Sequence, residues 1–132
     1  MLRLLTIVSG AFEALFGVAA MLATSMVTDA LGTGTGADPA AVFFARVLGA
    51  ATLGIGIAAL LARNELQTHG GLAAACGLTL YNVLAAIVIL WTAAELGGAS
   101  LWAVGIVHAV IGTLFVSALA RRVPSSRSSA SS

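Results

Sequence analysis

Apolar residues run along this chain in four long blocks, separated by short polar or glycine-rich links. The blocks cover residues 4–27, 41–62, 71–94 and 101–120. Each block reaches the roughly 20 residues that an α-helix needs to cross the hydrocarbon core of a bilayer. The short links after the second and third blocks place neighbouring helices in opposite directions. The pattern therefore predicts an all-α integral membrane protein whose residues 1–123 form an up-down four-helix bundle.

The residues at the ends of the blocks are typical of helix caps and linkers. Asp38 followed by Pro39 predicts the N-cap and first-turn proline of the second helix, and Ser100 predicts the N-cap of the fourth. The link from 28 to 40 is rich in Gly and Thr, which predicts flexibility. The tail at 124–132 is rich in Ser and has little apolar surface to bury, so we expect it to be disordered.

The composition restricts the class of protein further. Of the 132 residues, 60% are hydrophobic and 8% are charged, and the mean hydropathy is +1.07. These values exclude a typical soluble globule and a disordered chain. Six Arg, no Lys and five acidic residues give a formal net charge of +1, which is too little for a nucleic-acid-binding surface. We therefore expect a lipid bilayer, not a nucleic acid, as the surroundings of this chain.

The arginines are distributed unequally between the two sides of the predicted bundle. One side holds five of them: Arg3, Arg63, Arg121, Arg122 and Arg127. The two links on the opposite side contain acidic residues and no Arg. Because cytoplasmic loops carry the excess of Arg and Lys, both termini are predicted to lie in the cytoplasm.

Each predicted span contains one strongly polar residue in its interior: Glu13, Arg46, Asn82 and His108. At about 1.5 Å per residue from the cytoplasmic ends, Glu13 lies at roughly 14 Å, Asn82 and His108 at roughly 17 Å, and Arg46 at roughly 24 Å. Ionisable groups at such depths are costly and usually face other protein groups. We therefore expect the four side chains to form one buried polar layer, joined by the hydroxyl of Tyr81.

Small residues share the helix faces of these polar residues. Membrane helices associate through such residues, because small side chains let the backbones approach closely. The glycines predicted to form helix contacts are Gly10, Gly17, Gly49, Gly56, Gly105 and Gly112.

Two interpretations of the polar layer remain open. In the first, Glu13 and Arg46 form an ion pair and Asn82 and His108 a hydrogen bond, and both only fix the helix register. In the second, Glu13 and His108 form a proton-linked or ligand-binding site, because both side chains can exchange protons. A metal or haem site is disfavoured, since His108 is the only histidine predicted inside the membrane. No metal, cofactor or catalytic residue is predicted.

Three short motifs resemble small bacterial four-helix membrane proteins of the DoxX-like kind. They are the segment Phe-Ala-Arg-Val-Leu-Gly-Ala at 44–50, the acid Glu13 in the first span, and Leu80-Tyr81-Asn82 in the third. The resemblance covers nearly the whole chain and implies a four-helix bundle in the bacterial inner membrane. DoxX itself is a membrane partner in electron transfer from thiosulfate to quinone, with chemistry that involves another subunit.

The function expected from the sequence is that of a small accessory or scaffold subunit, which assembles with another membrane protein or with a second copy of itself. One alternative is a proton-coupled carrier of a small solute that uses Glu13. A second alternative is a quinone-site partner of a redox enzyme.

Overall fold

The computed structural model describes residues 1–32 and 38–122. Its helices are α1 (Leu2–Leu22), α2 (Thr24–Ala30), α3 (Pro39–Ala62), α4 (His69–Leu96) and α5 (Ala99–Ala120). Four of these five helices, all except α2, are long and apolar enough to cross a membrane. This confirms, for the described residues, the predicted all-α class and the predicted number of helices that could span a membrane. The predicted disorder of 124–132 lies outside the described residues, as do residues 33–37 of the link at 28–40 that was predicted to be flexible. The ends of that link, 28–30 and 39–40, are helical instead, in α2 and α3.

The first apolar block contains a break that the sequence pattern did not predict. The helix ends at Leu22, and Ala23 leaves the helical conformation with φ −128° and ψ 45°. The Thr24 hydroxyl donates a hydrogen bond to the carbonyl of Ala20 at 2.7 Å, an interaction that is known to bend helices. The prediction of one continuous helix to residue 27 is therefore wrong, because the chain continues from Ala23 into the short helix α2.

The two predicted N-caps have different outcomes. Asp38 caps α3, and its carboxylate accepts a hydrogen bond from the backbone nitrogen of Ala40 at 3.0 Å, as predicted. Ser100 does not cap α5, which begins at Ala99 after the N-cap Gly98. Gly97 and Gly98 have φ values of 76° and 97°, a conformation that favours glycine. These two glycines make the tight turn from α4 to α5, and the helix starts two residues earlier than an N-cap at Ser100 predicted.

The long helices pack most extensively as two pairs, α1 with α3 and α4 with α5. Gly10 lies beside Gly56, and Gly17 lies beside Gly49, so α1 and α3 run in opposite directions. A Cβ atom added at Gly17 would lie 2.5 Å from the carbonyl oxygen of Gly49. The backbones of α1 and α3 are therefore in direct contact, and only glycine fits at this crossing.

The α4 and α5 pair uses glycine on one helix and larger side chains on the other. Gly105 faces Leu90, and Gly112 faces Val83. These contacts also show that α4 and α5 run in opposite directions. The six glycines named above thus all lie at contacts between the long helices.

The distribution of buried and exposed side chains is the reverse of that in a soluble protein. The buried polar side chains within the long helices are Thr6, Ser9, Glu13, Thr52, Thr79, Asn82 and His108. Large apolar side chains cover the outside, and Leu22 and Leu61 are 82% and 73% exposed. This arrangement fits a lipid environment, in which apolar groups face outward and small or polar groups mediate helix contacts.

The two helix pairs are packed tightly at one end of the bundle. We call this end the terminal half, because it contains the start of α1 and the end of α5. A cluster of buried apolar residues fills it: Leu2, Ala59, Leu66, Ala75, Leu78, Phe115 and Ala118. The opposite end, which we call the distal half, contains α2 and the turn between α4 and α5.

Candidate functional site

Three helices bring polar side chains together near the middle of the bundle. Asn82 on α4 donates hydrogen bonds through Nδ2 to Ser9 Oγ on α1 at 3.1 Å and to the carbonyl of Leu78 at 2.8 Å. Its Oδ1 lies 3.0 Å from Nδ1 of His108 on α5. The same His108 nitrogen lies 3.9 Å from Oε1 of Glu13 on α1. We call Ser9, Glu13, Tyr81, Asn82 and His108 the polar cluster.

Glu13 is the least satisfied member of the polar cluster. Its side chain is only 1% exposed, and neither carboxylate oxygen has a hydrogen-bond partner among the described residues. The Tyr81 hydroxyl interacts electrostatically with this carboxylate, but from beyond hydrogen-bonding geometry. Burying a carboxyl group without hydrogen bonds is costly, so its retention at this position indicates a role other than packing.

Aromatic rings hold the imidazole of His108 on two sides. The Phe12 ring meets it edge-on, with ring centroids 6.0 Å apart and planes at 74°. The Tyr81 ring does the same at 5.9 Å and 79°. Edge-to-face contacts of this kind are favourable, and together with the Asn82 contact they fix the orientation of the His108 ring.

A cavity of about 560 Å³ adjoins the polar cluster in the distal half. It lies between α1 and the α4–α5 pair, and α2 lies over it. The cavity is lined almost entirely by apolar side chains, and the polar lining residues are Tyr81 and His108. An apolar cavity of this size with a few polar groups at one place is typical of sites for small molecules.

The cavity is not sealed from its surroundings. Four of its lining side chains, Phe12, Leu48, Leu84 and Val88, are themselves between 38% and 63% exposed. These side chains belong to the apolar outside of the bundle. The cavity therefore opens sideways, onto the surface that faces lipid in a membrane.

Arg46 lies apart from the polar layer in which the sequence placed it. It is exposed, and its Nε donates to Thr24 Oγ1 at 3.4 Å. Within the described residues, the only acid–base contact within 4 Å joins Glu13 to His108. Helical side chains point toward the N-terminus of their own helix, and in α3 this is the direction away from Glu13. The expected ion pair between Glu13 and Arg46 is therefore not formed.

Two parts of the site were not expected from the sequence. Ser9 was overlooked, although it lies four residues before Glu13 and so shares its helix face. The cavity depends on α2, whose separation from α1 has no clear signal in the hydrophobic pattern. Among the described residues, no three His, Cys, Asp or Glu side chains are grouped as ligands of one metal ion would be.

Comparison of this chain with protein-family models, with curated proteins and with solved structures gives no match. Function is therefore inferred from the polar cluster and the cavity alone.

Proposed function

We propose that this chain is an accessory protein of the bacterial inner membrane that binds a lipid-soluble small molecule. Its four long helices cross the bilayer as an up-down bundle, with both termini in the cytoplasm. The observation that carries the proposal is the apolar cavity of about 560 Å³, which ends at Tyr81 and His108. The apolar lining suits the body of such a molecule, and the two polar side chains suit its polar end.

The position of Glu13 favours a binding role over a purely structural one. A structural polar layer needs every buried group to be paired, because an unpaired buried charge destabilises a bundle. Among the described residues no arginine contacts Glu13, since Arg46 contacts Thr24 instead, and the Glu13 carboxylate oxygens have no hydrogen bond there. An ionisable residue left unpaired at membrane depth is more typical of a functional site.

The other expectations from the sequence are compatible with this proposal. The resemblance to DoxX-like proteins supports an accessory role beside another membrane protein or a second copy. A quinone is one lipid-soluble molecule of suitable class, so a quinone-site partner is a particular case of the proposal. The carrier alternative adds transport to binding, and the unpaired Glu13 favours it as the second candidate.

The proposal is tested by identifying what co-purifies with the protein. The full chain is purified in mild detergent, and lipophilic molecules in its organic extract are quantified by mass spectrometry. Val104→Phe on α5 fills the cavity, because Val104 lines it. Val107→Phe, on the same helix, is the matched control, because Val107 is exposed and lies outside the cavity lining.

We expect one class of molecule to co-purify with the wild type and with Val107→Phe, and to be depleted in Val104→Phe. A second pair on α4, Ala85→Phe in the cavity lining and Ala73→Phe on the exposed surface, repeats the comparison. Equal amounts of every lipophile in the filled variants and their controls would contradict the proposal.

A further inference from the structure

The orientation of the Asn82 side chain is determined by a backbone carbonyl. The carbonyl of Leu78 accepts a hydrogen bond at 2.8 Å, and a carbonyl oxygen cannot donate one. The Asn82 atom facing it must therefore be the amide nitrogen, which uses its second hydrogen on Ser9 Oγ. The amide oxygen is left to face His108.

This orientation determines which nitrogen of His108 carries hydrogen. Asn82 Oδ1 only accepts hydrogen bonds, so the His108 nitrogen 3.0 Å away, Nδ1, is the donor. In the neutral imidazole the other nitrogen, Nε2, then has a free lone pair. Nε2 has no hydrogen-bond partner among the described residues, and His108 lines the cavity. His108 therefore brings to the cavity wall a hydrogen-bond acceptor that no described residue uses.

The Tyr81 side chain adds a second oxygen at the same end of the cavity. Its hydroxyl interacts with the Glu13 side chain. A hydroxyl oxygen can accept a hydrogen bond whichever group its hydrogen faces, so the Tyr81 oxygen is available as an acceptor. Both polar groups of the lining thus offer acceptors to a ligand.

The lining also indicates that the polar end of the ligand is uncharged. None of the side chains that line the cavity carries a fixed charge, and Glu13 is not among them. A lipophilic cation would enter this apolar space without a counter-ion in contact, which is costly. A neutral donor is the group that satisfies the acceptors at the lowest desolvation cost.

We infer that the ligand is a neutral lipophile with a hydroxyl group at its polar end, an alcohol or a phenol, and that this hydroxyl donates a hydrogen bond to Nε2 of His108. The inference rests on the proposed function, because it specifies the ligand class of the same cavity.

The experiment compares three photoreactive probes that share one alkyl chain and differ at the end group: a fatty alcohol, its methyl ether and the corresponding primary amine. Each is crosslinked to the full chain in lipid nanodiscs, and labelled peptides of α4 and α5 are quantified. The ether accepts hydrogen bonds but cannot donate one, so it reports on the apolar cavity alone. We expect the alcohol to label about threefold to tenfold more than the ether, which is the affinity ratio of one hydrogen bond.

His108→Phe removes the acceptor, and His108→Gln restores an acceptor in its place. In His108→Phe we expect the alcohol to lose its preference, so that the alcohol and the ether label equally. In His108→Gln part of the preference for the alcohol returns. The comparison of probes on the wild type needs no variant, so it decides the question even if His108→Phe fails to fold.

The outcomes separate this inference from the proposed function. Equal labelling by alcohol and ether, both blocked by Val104→Phe, overturns the hydroxyl inference and leaves the cavity as a binding site. Preferred labelling by the amine overturns it in favour of a cationic ligand. Labelling that is the same in Val104→Phe and Val107→Phe overturns the proposed function itself.

Discussion

Asn82 and His108 are joined by a contact of 3.0 Å between Oδ1 and Nδ1, which connects α4 to α5 near the middle of both helices. Through Nδ2 the same Asn82 side chain also reaches Ser9 on α1. One amide group therefore links three helices at the depth where the cavity ends.

Replacing Asn82 with Leu should lower the thermal midpoint of unfolding in detergent. The change leaves the Nδ1–H of His108 and the hydroxyl of Ser9 without this partner, at a cost of about 1 to 2 kcal/mol. Circular dichroism during heating measures the effect. Asn64→Leu, at an exposed position outside the helices, is the control and should leave the midpoint within error. Equal midpoints in the two variants would contradict a linking role for Asn82.

Replacing Gly17 with Ala should reduce both folded yield and thermal stability. A Cβ atom there would lie 2.5 Å from the backbone nitrogen of Leu53 as well as from the Gly49 oxygen, so α1 and α3 would have to separate. Gly77→Ala places the same methyl group in open space and should be neutral or slightly stabilising, because Ala is the better helix former by about 1 kcal/mol. If the two variants are equally stable by gel filtration and thermal melting, the close contact of α1 and α3 is refuted.

Glu13 and Arg46 should contribute independently to stability. They share no partner, since Glu13 lies beside His108 and Arg46 beside Thr24. The stability changes of Glu13→Leu and Arg46→Leu should therefore add in the double variant to within about 0.5 kcal/mol. Thermal melting of the four proteins in the cycle measures this. A double variant clearly more stable than the sum of the single changes would restore the ion pair expected from the sequence.

The proposed orientation can be tested by cysteine labelling in intact cells. Gln67 and Ser100 are both exposed. Gln67 lies in the link before α4, and Ser100 lies in the first turn of α5, at the opposite end of the bundle. In a Cys76→Ala background, which removes the exposed native thiol, a membrane-impermeant reagent should label Ser100→Cys and not Gln67→Cys. Permeabilised cells supply the control in which both react. The reverse pattern in intact cells would invert the orientation.

The purified protein in liposomes should not move protons in response to a pH gradient. The buried apolar cluster around Leu78 and Phe115 fills the terminal half, and the cavity beside the polar cluster is lined almost entirely by apolar side chains, so neither offers protons a polar route. A pH-sensitive dye inside the liposomes reports any flux. Proton movement in the wild type that disappears in a normally folded Glu13→Gln variant would establish the carrier alternative.

The number of long helices and the depth of their polar residues could be predicted from the lengths of the apolar blocks in the sequence. Block lengths predict the four long helices, and the rise per residue places Glu13, Asn82 and His108 at similar depths, where the structure brings them into contact. The position of Arg46 could not be obtained in this way, because depth gives the height of a Cα atom but not the direction of a long side chain.

The cavity is also beyond the hydrophobic pattern. Residues that line it and residues that face lipid are equally apolar, as Val104 and Val107 illustrate on α5. The break at Ala23 falls where the Thr24 hydroxyl, at the start of α2, donates to the carbonyl of Ala20 in α1, and Thr24 lies in an otherwise continuous apolar block. Both features depend on how helices meet in space rather than on composition.

The placement of tight packing in the terminal half and of the cavity in the distal half has a consequence for the supply of ligand. In the proposed orientation, with both termini in the cytoplasm, the cavity would open into the outer leaflet of the membrane. A molecule dissolved in that leaflet reaches the cavity by lateral diffusion, whereas one in the inner leaflet must first flip across the bilayer. Occupancy of the site would therefore follow the composition of a single leaflet, and a newly synthesised lipophile released on the cytoplasmic side would reach it only after flipping.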